Sequence, residues 1–91
     1  MTEQRQRYHL RFVKHEPVYI FRPNGTVPLW PAYWTSRKSK RTVTATGLLN
    51  AADRVGKIIF RQSEGYMTIL YAYRETEPRK WEQVYLPKVL D

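Results

Sequence analysis

The run Tyr66-Met67-Thr68-Ile69-Leu70-Tyr71-Ala72-Tyr73-Arg74 is rich in β-branched and aromatic residues, has no internal glycine or proline, and is bounded by Gly65 and Pro78. Such residues fit a pleated, partly buried surface better than a helix. Both alternating sets are mostly apolar: Met67, Ile69, Tyr71 and Tyr73 on one face, Tyr66, Leu70 and Ala72 on the other. A strand covered on both faces lies inside a sheet, not at its rim. At ~3.3 Å per residue the run spans roughly 30 Å. It predicts the central strand of a single small domain, the most that a chain of 91 residues supports.

The remaining elements are read around that strand. Residues 1–6 are expected to be frayed. Over 7–14 the pattern alternates, with Tyr8, Leu10 and Phe12 on one face and His9 and Arg11 on the other, which predicts a half-buried strand. His15-Glu16-Pro17 is expected to break it, and Val18-Tyr19-Ile20-Phe21-Arg22 to return as the second strand of a hairpin. Pro23-Asn24-Gly25-Thr26 reads as a turn, since proline presets φ and Asn-Gly tolerates positive φ. Pro28 and Pro31 then keep the following aromatic stretch out of any central ladder.

Residues 35–42 read Thr-Ser-Arg-Lys-Ser-Lys-Arg-Thr and contain no apolar residue. They predict an exposed basic loop over 35–41. Thr42-Val43-Thr44-Ala45 is a short strand leading to a helix capped by Thr46, with Leu48, Leu49, Ala52 and Val55 inward and Gly56 at its end. Lys57-Ile58-Ile59-Phe60-Arg61-Gln62 and Trp81-Glu82-Gln83-Val84-Tyr85-Leu86 complete a three-stranded meander with the central run. The fold class is therefore α+β: a small antiparallel sheet of about five strands with one short helix on one face. A small open β-barrel is the alternative.

Charge carries most of the functional information. Sixteen Lys and Arg against eight Asp and Glu give a net charge of +8. Residues 1–61 hold twelve bases and three acids, whereas residues 62–91 hold four bases and five acids. An excess confined to part of the chain implies a positive surface whose cations sit together on one side of the body. The partner such a surface implies first is nucleic acid; an acidic protein is the rival. Cysteine is absent and the two histidines lack ligand spacing, so neither a disulfide, a metal nor a cofactor is expected. No apolar stretch approaches the ~20 residues of a membrane helix. With a polar N-terminus, the chain reads as cytosolic, without a membrane partner.

Within this frame Arg37, Lys38, Lys40 and Arg41 are the leading phosphate-contact candidates, because solvated cations approach a phosphate backbone without desolvation. Arg5, Arg7 and Arg11, with Lys14, form a second basic stripe beside the first strand. Trp30, Tyr33 and Trp34 are the candidates for base stacking, and Tyr71, Tyr73 and Tyr85 offer further rings, although large aromatics in so short a chain also serve as core. A homodimer pairing through a free strand edge would double the cationic face.

Gly65-Tyr66 through Arg74-Glu75, followed by residues 81–88, resembles the three-stranded arm-binding modules at the front of some tyrosine recombinases. The resemblance implies a sheet that enters a DNA groove. In size and charge alone the chain is similar to toxin ribonucleases of toxin–antitoxin pairs, without their N-terminal helices. In that reading Arg61, Arg74, Tyr71 and His9 would serve as metal-independent catalytic groups. The reading the residues favour is a non-enzymatic nucleic-acid-binding module. The alternatives are an inhibitor or adaptor of mobile-element type and, last, the ribonuclease.

Overall fold

The computed structural model describes residues 5–21, 23–25 and 28–85. Five elements follow in chain order: β1 (Gln6–Val18), β2 (Tyr33–Ala45), α1 (Leu48–Ser63), β3 (Tyr66–Glu77) and β4 (Lys80–Val84). The strands form one open antiparallel sheet in the order β2-β1-β3-β4, and α1 lies across β1, β2 and β3 on one face. This is the expected α+β layer, with four strands in place of about five and no closure into a barrel. No helix among the described residues is long and apolar enough to cross a membrane.

Period-two alternation makes β1 the scaffold. Tyr8, Leu10 and Phe12 are buried, and their side chains form the core with Ala45, Ala72 and the helix residues Ala51, Val55 and Ile59. The intervening residues point to the face without a helix. β1 does not break at His15-Glu16-Pro17, because β2 pairs with it along its whole length, from Gln6 opposite Ala45 to Val18 opposite Tyr33. Val18 therefore belongs to β1, residues 19–21 form no returning strand, and Arg22, the end of the expected hairpin partner, lies outside the described residues. Residues beyond Val18 belong to a connection tied down by the Ala32 N–H donating to the Val18 carbonyl at 2.8 Å. Its turn carries Gly25 at φ +78°, the left-handed conformation expected of Asn-Gly.

Residues 35–41 are not a loop but the middle of β2, an edge strand. Nothing in their composition requires a strand. Pairing is imposed by the donors and acceptors of β1, which the antiparallel ladder satisfies.

The helix is longer than the reading that ends it at Gly56, and residues 57–62 belong to it rather than to a strand. Ile58-Ile59-Phe60 has strand-forming character, yet Ala51, Val55 and Ile59 fall at i, i+4 and i+8 on one buried stripe. Packing against the sheet outweighs local propensity. Leu49, expected inside, is 65% exposed. The N-cap is Gly47 rather than Thr46 and makes no side-chain cap; Asn50 Oδ1 instead accepts the Thr46 backbone N–H at 3.3 Å. A Cβ at Gly56 would meet nothing within 4 Å. Gly56→Ala is therefore expected to stabilise the fold by ~1 kcal/mol in urea unfolding, the helix-propensity difference.

β3 is an interior strand, as expected, but only one of its faces is covered. A bulge between Ile69 and Tyr71 resolves the ambiguity of its two apolar sets: Arg11 pairs with Tyr71, while the next residue, Phe12, pairs with Ile69. The extra residue flips the phase, so that Met67, Ile69 and Ala72 face the helix and Tyr66, Thr68, Tyr71 and Tyr73 the open side. Because residues 57–62 are helical, the three-stranded meander shrinks to the β3–β4 pair. Of residues 1–6, expected to fray, Gln6 opens β1 while residues 1–4 lie outside the described residues, as do Leu86 of the expected last strand and residues 87–91.

Where the chain leaves α1, Glu64 adopts φ +58° and Gly65 is pressed against β1. A Cβ on Gly65 would collide with the His15 carbonyl oxygen, a backbone atom held in the ladder. Gly65→Ala should destabilise the protein by ~1–3 kcal/mol, the range for forced overpacking, read as a lowered urea midpoint.

Candidate functional site

Cross-strand partners in an antiparallel ladder share a face. The register thus sorts every candidate side chain into the helix side of the sheet or its open side.

On the helix side stand Lys14, Arg37 and Arg41. Arg37 is exposed but ion-paired: its Nη2 lies 3.3 Å from Glu16 Oε1, and Lys14 Nζ reaches the same oxygen at 3.5 Å. A hydrogen bond from Ser63, then the charges of Lys14 and Arg37, hold the Glu16 carboxyl below its ordinary range. Arg41 pairs in register with Leu10, so it too points away from the open face. The expectation that all the surplus charge gathers on one side is therefore not met. The four cations of residues 37–41 divide in pairs, because a strand turns alternate side chains to opposite faces.

The open face receives the other half. Arg7, His9 and Arg11 of β1 lie beside Thr42, Lys40 and Lys38 of β2, with Arg11 directly opposite Lys40 and Val13 opposite Lys38. On the other flank His9 pairs with Tyr73 and Arg11 with Tyr71, and Glu75 beyond them pairs with Trp81 of β4. Among the described residues Arg11, Lys38 and Lys40 make no ion pair; Arg7 does, through Nη1 to Glu75 Oε2 at 3.2 Å. The Arg7 guanidinium also stands 5.8 Å from the Trp81 ring centroid. Arg5 is exposed just before β1.

Two ring groups mark the ends of this face. At one end the His9 ring lies 6.3 Å from that of Tyr73 and 6.1 Å from that of Trp81, while its Nδ1 meets the Thr42 hydroxyl at 2.9 Å. At the other, His15 stacks on Tyr66 at 4.6 Å, and Trp34 meets Tyr66 edge-on at 5.6 Å. His15 is held in line by Ser36 and Thr68, one from each neighbouring strand, at 2.8 and 3.0 Å. Desolvation, and then the charges of Arg11 and Lys40, push the His9 pKa below the ordinary histidine value. The surrounding cations thus disfavour its protonated form.

Of the stacking candidates, Trp34 reaches the open face. Tyr33 pairs with Val18 on the opposite phase, and Trp30 is 81% exposed in the connection before β2. Tyr71 and Tyr73 do stand on the open face, whereas Tyr85 is exposed beyond the end of β4. The sequence presents Trp81 and Tyr66 only as strand residues, not as stacking candidates. Their value lies in which residue faces them across β1 and β3, and no local pattern reveals that. The four groups proposed for ribonuclease chemistry are not assembled: His9 and Tyr71 occupy the open face, Arg74 the helix side opposite Tyr8, and Arg61 the helix itself. Among the described residues no cluster of three His, Asp or Glu is arranged to hold a metal ion. No protein-family description, curated protein or solved structure matches this chain.

Proposed function

We propose that this protein binds nucleic acid on the open face of its sheet, chiefly through the phosphate backbone. One observation carries the reading. Arg11 and Lys40 are direct cross-strand neighbours, Lys38 stands two residues further along the same face, and no carboxylate among the described residues pairs with any of them. Like charges placed directly opposite each other in a sheet destabilise it. A bound polyanion removes that repulsion and releases its own counterions, so both partners gain.

The charge of β2 supports the same assignment in a second way. Four cations over residues 37–41 on an edge strand discourage pairing with another copy of that edge and leave Lys38 and Lys40 free for an anionic ligand. Contact with phosphates needs no catalytic group and no metal.

The test is a salt titration with labelled oligonucleotides between about 50 and 200 mM monovalent salt. Three phosphate contacts predict a slope of log K against log salt of roughly −2 to −3. Absence of binding to any oligonucleotide at ~50 mM salt would remove the proposal and leave an acidic protein as the partner to seek.

A further inference from the structure

The open face is not uniformly basic. Its cations Arg11, Lys38 and Lys40 lie on β1 and β2, whereas Tyr71, Tyr73 and Trp81 lie on β3 and β4; Trp34 of β2 sits apart from them, against Tyr66 at the far end of the face. Adjacent strands are ~4.8 Å apart, so the two rows run side by side with an offset of roughly 5–10 Å. A ligand that matches this division carries negative charge along one edge and flat apolar surfaces along the other.

We infer that the ligand is single-stranded, with its phosphates over the β2–β1 half and its bases turned onto the rings of the β3–β4 half. This rests on the reading that the open face binds nucleic acid, and adds which form of it. A duplex encloses its bases between two backbones and offers a flat sheet mainly phosphates, leaving the ring row without a partner. An unpaired strand presents both at once, and every base has a face that stacks on an aromatic ring.

Two hollows fit that division. One, of about 440 Å³, is lined by His9, Arg11, Tyr73 and Trp81; the other, also about 440 Å³, is lined by Arg11, Lys38, Lys40 and Tyr71 among others. Arg11 belongs to both, where a nucleotide would join base to phosphate. The bulge in β3 is what makes the arrangement possible. Without its extra residue, the phase that turns Ile69 to the helix would carry Tyr71 and Tyr73 there as well. Bulges recur where a strand must re-aim side chains at a site.

The experiment compares a 12-nucleotide single strand with the duplex of the same sequence, using the full chain and fluorescence anisotropy. The single strand should bind at least tenfold more tightly. Tyr73→Leu and Trp81→Leu should each weaken its binding by roughly 5- to 100-fold, the loss of one stacked base, without changing the salt slope. Folding of each variant is checked by circular dichroism. A second readout avoids core-adjacent changes: with Trp30→Phe and Trp34→Phe, Trp81 is the remaining tryptophan, and the single strand should quench it. Equal or tighter duplex binding, or Trp81 emission unmoved at saturation, would overturn the single-strand inference while nucleic-acid binding stands. Failure of both forms to bind would overturn the two together.

Discussion

Replacing Arg11, Lys38 and Lys40 together by alanine is expected to lower affinity for an oligonucleotide by about 100-fold at ~50 mM salt while leaving the fold intact or firmer. The first part follows from three exposed cations worth roughly 1 kcal/mol each. The salt slope should flatten by about 2, at ~0.7 per lost contact on a single strand. The second part distinguishes this from simple damage. Arg11 faces Lys40 across the ladder, so removing both relieves a repulsion of roughly 0.2–1 kcal/mol, and the urea midpoint should hold or rise. The control is Arg37→Ala with Arg41→Ala. These cations come from the same five-residue segment but stand on the other face, and their loss should change affinity by less than twofold. Equal losses from the two sets would mean that the open face is not the site.

Leu10→Ala should cost ~2–5 kcal/mol, the range for truncating a fully buried leucine. Leu10 is 0% exposed on an interior strand, flanked in the ladder by Arg41 and Ala72 with the helix residues above it. Against a total stability of ~5–15 kcal/mol, that is a large share for one side chain. Urea unfolding should show a lower midpoint at an unchanged m-value. Leu49→Ala, at a position that helical spacing also places inside, should stay within ~0.5 kcal/mol because its side chain is largely in solvent. Comparable losses at the two positions would contradict the helix orientation described above.

The difference between those leucines illustrates how far local pattern carries. Alternation over Tyr8-His9-Leu10-Arg11-Phe12 specifies a strand and both of its faces, since a period of two has one way to bury three apolar residues in a row of five. Helical spacing around Leu48, Leu49, Ala52 and Val55 establishes that a helix is present but leaves its rotation open. Contact with the sheet then selects the Ala51-Val55-Ile59 stripe and extends the helix past Gly56 to Ser63. The candidate site divides in the same way. Arg7 and Arg11 were legible as neighbours of His9, but residues 37–41 were legible only as a charge run.

Composition and alternation alone determined a cysteine-free, strongly basic α+β chain with the Tyr8–Leu10–Phe12 core face opposite His9 and Arg11. Only the tertiary structure decided that residues 35–41 form an edge strand, that Lys38 and Lys40 part from Arg37 and Arg41, and that Trp81 joins His9 and Tyr73. The reason is physical. A strand's period belongs to its own residues, but its existence at a polar sheet edge is dictated by the unpaired backbone groups of its neighbour. Which side chains then meet is set by register and by a single bulge, neither of which a local residue pattern encodes.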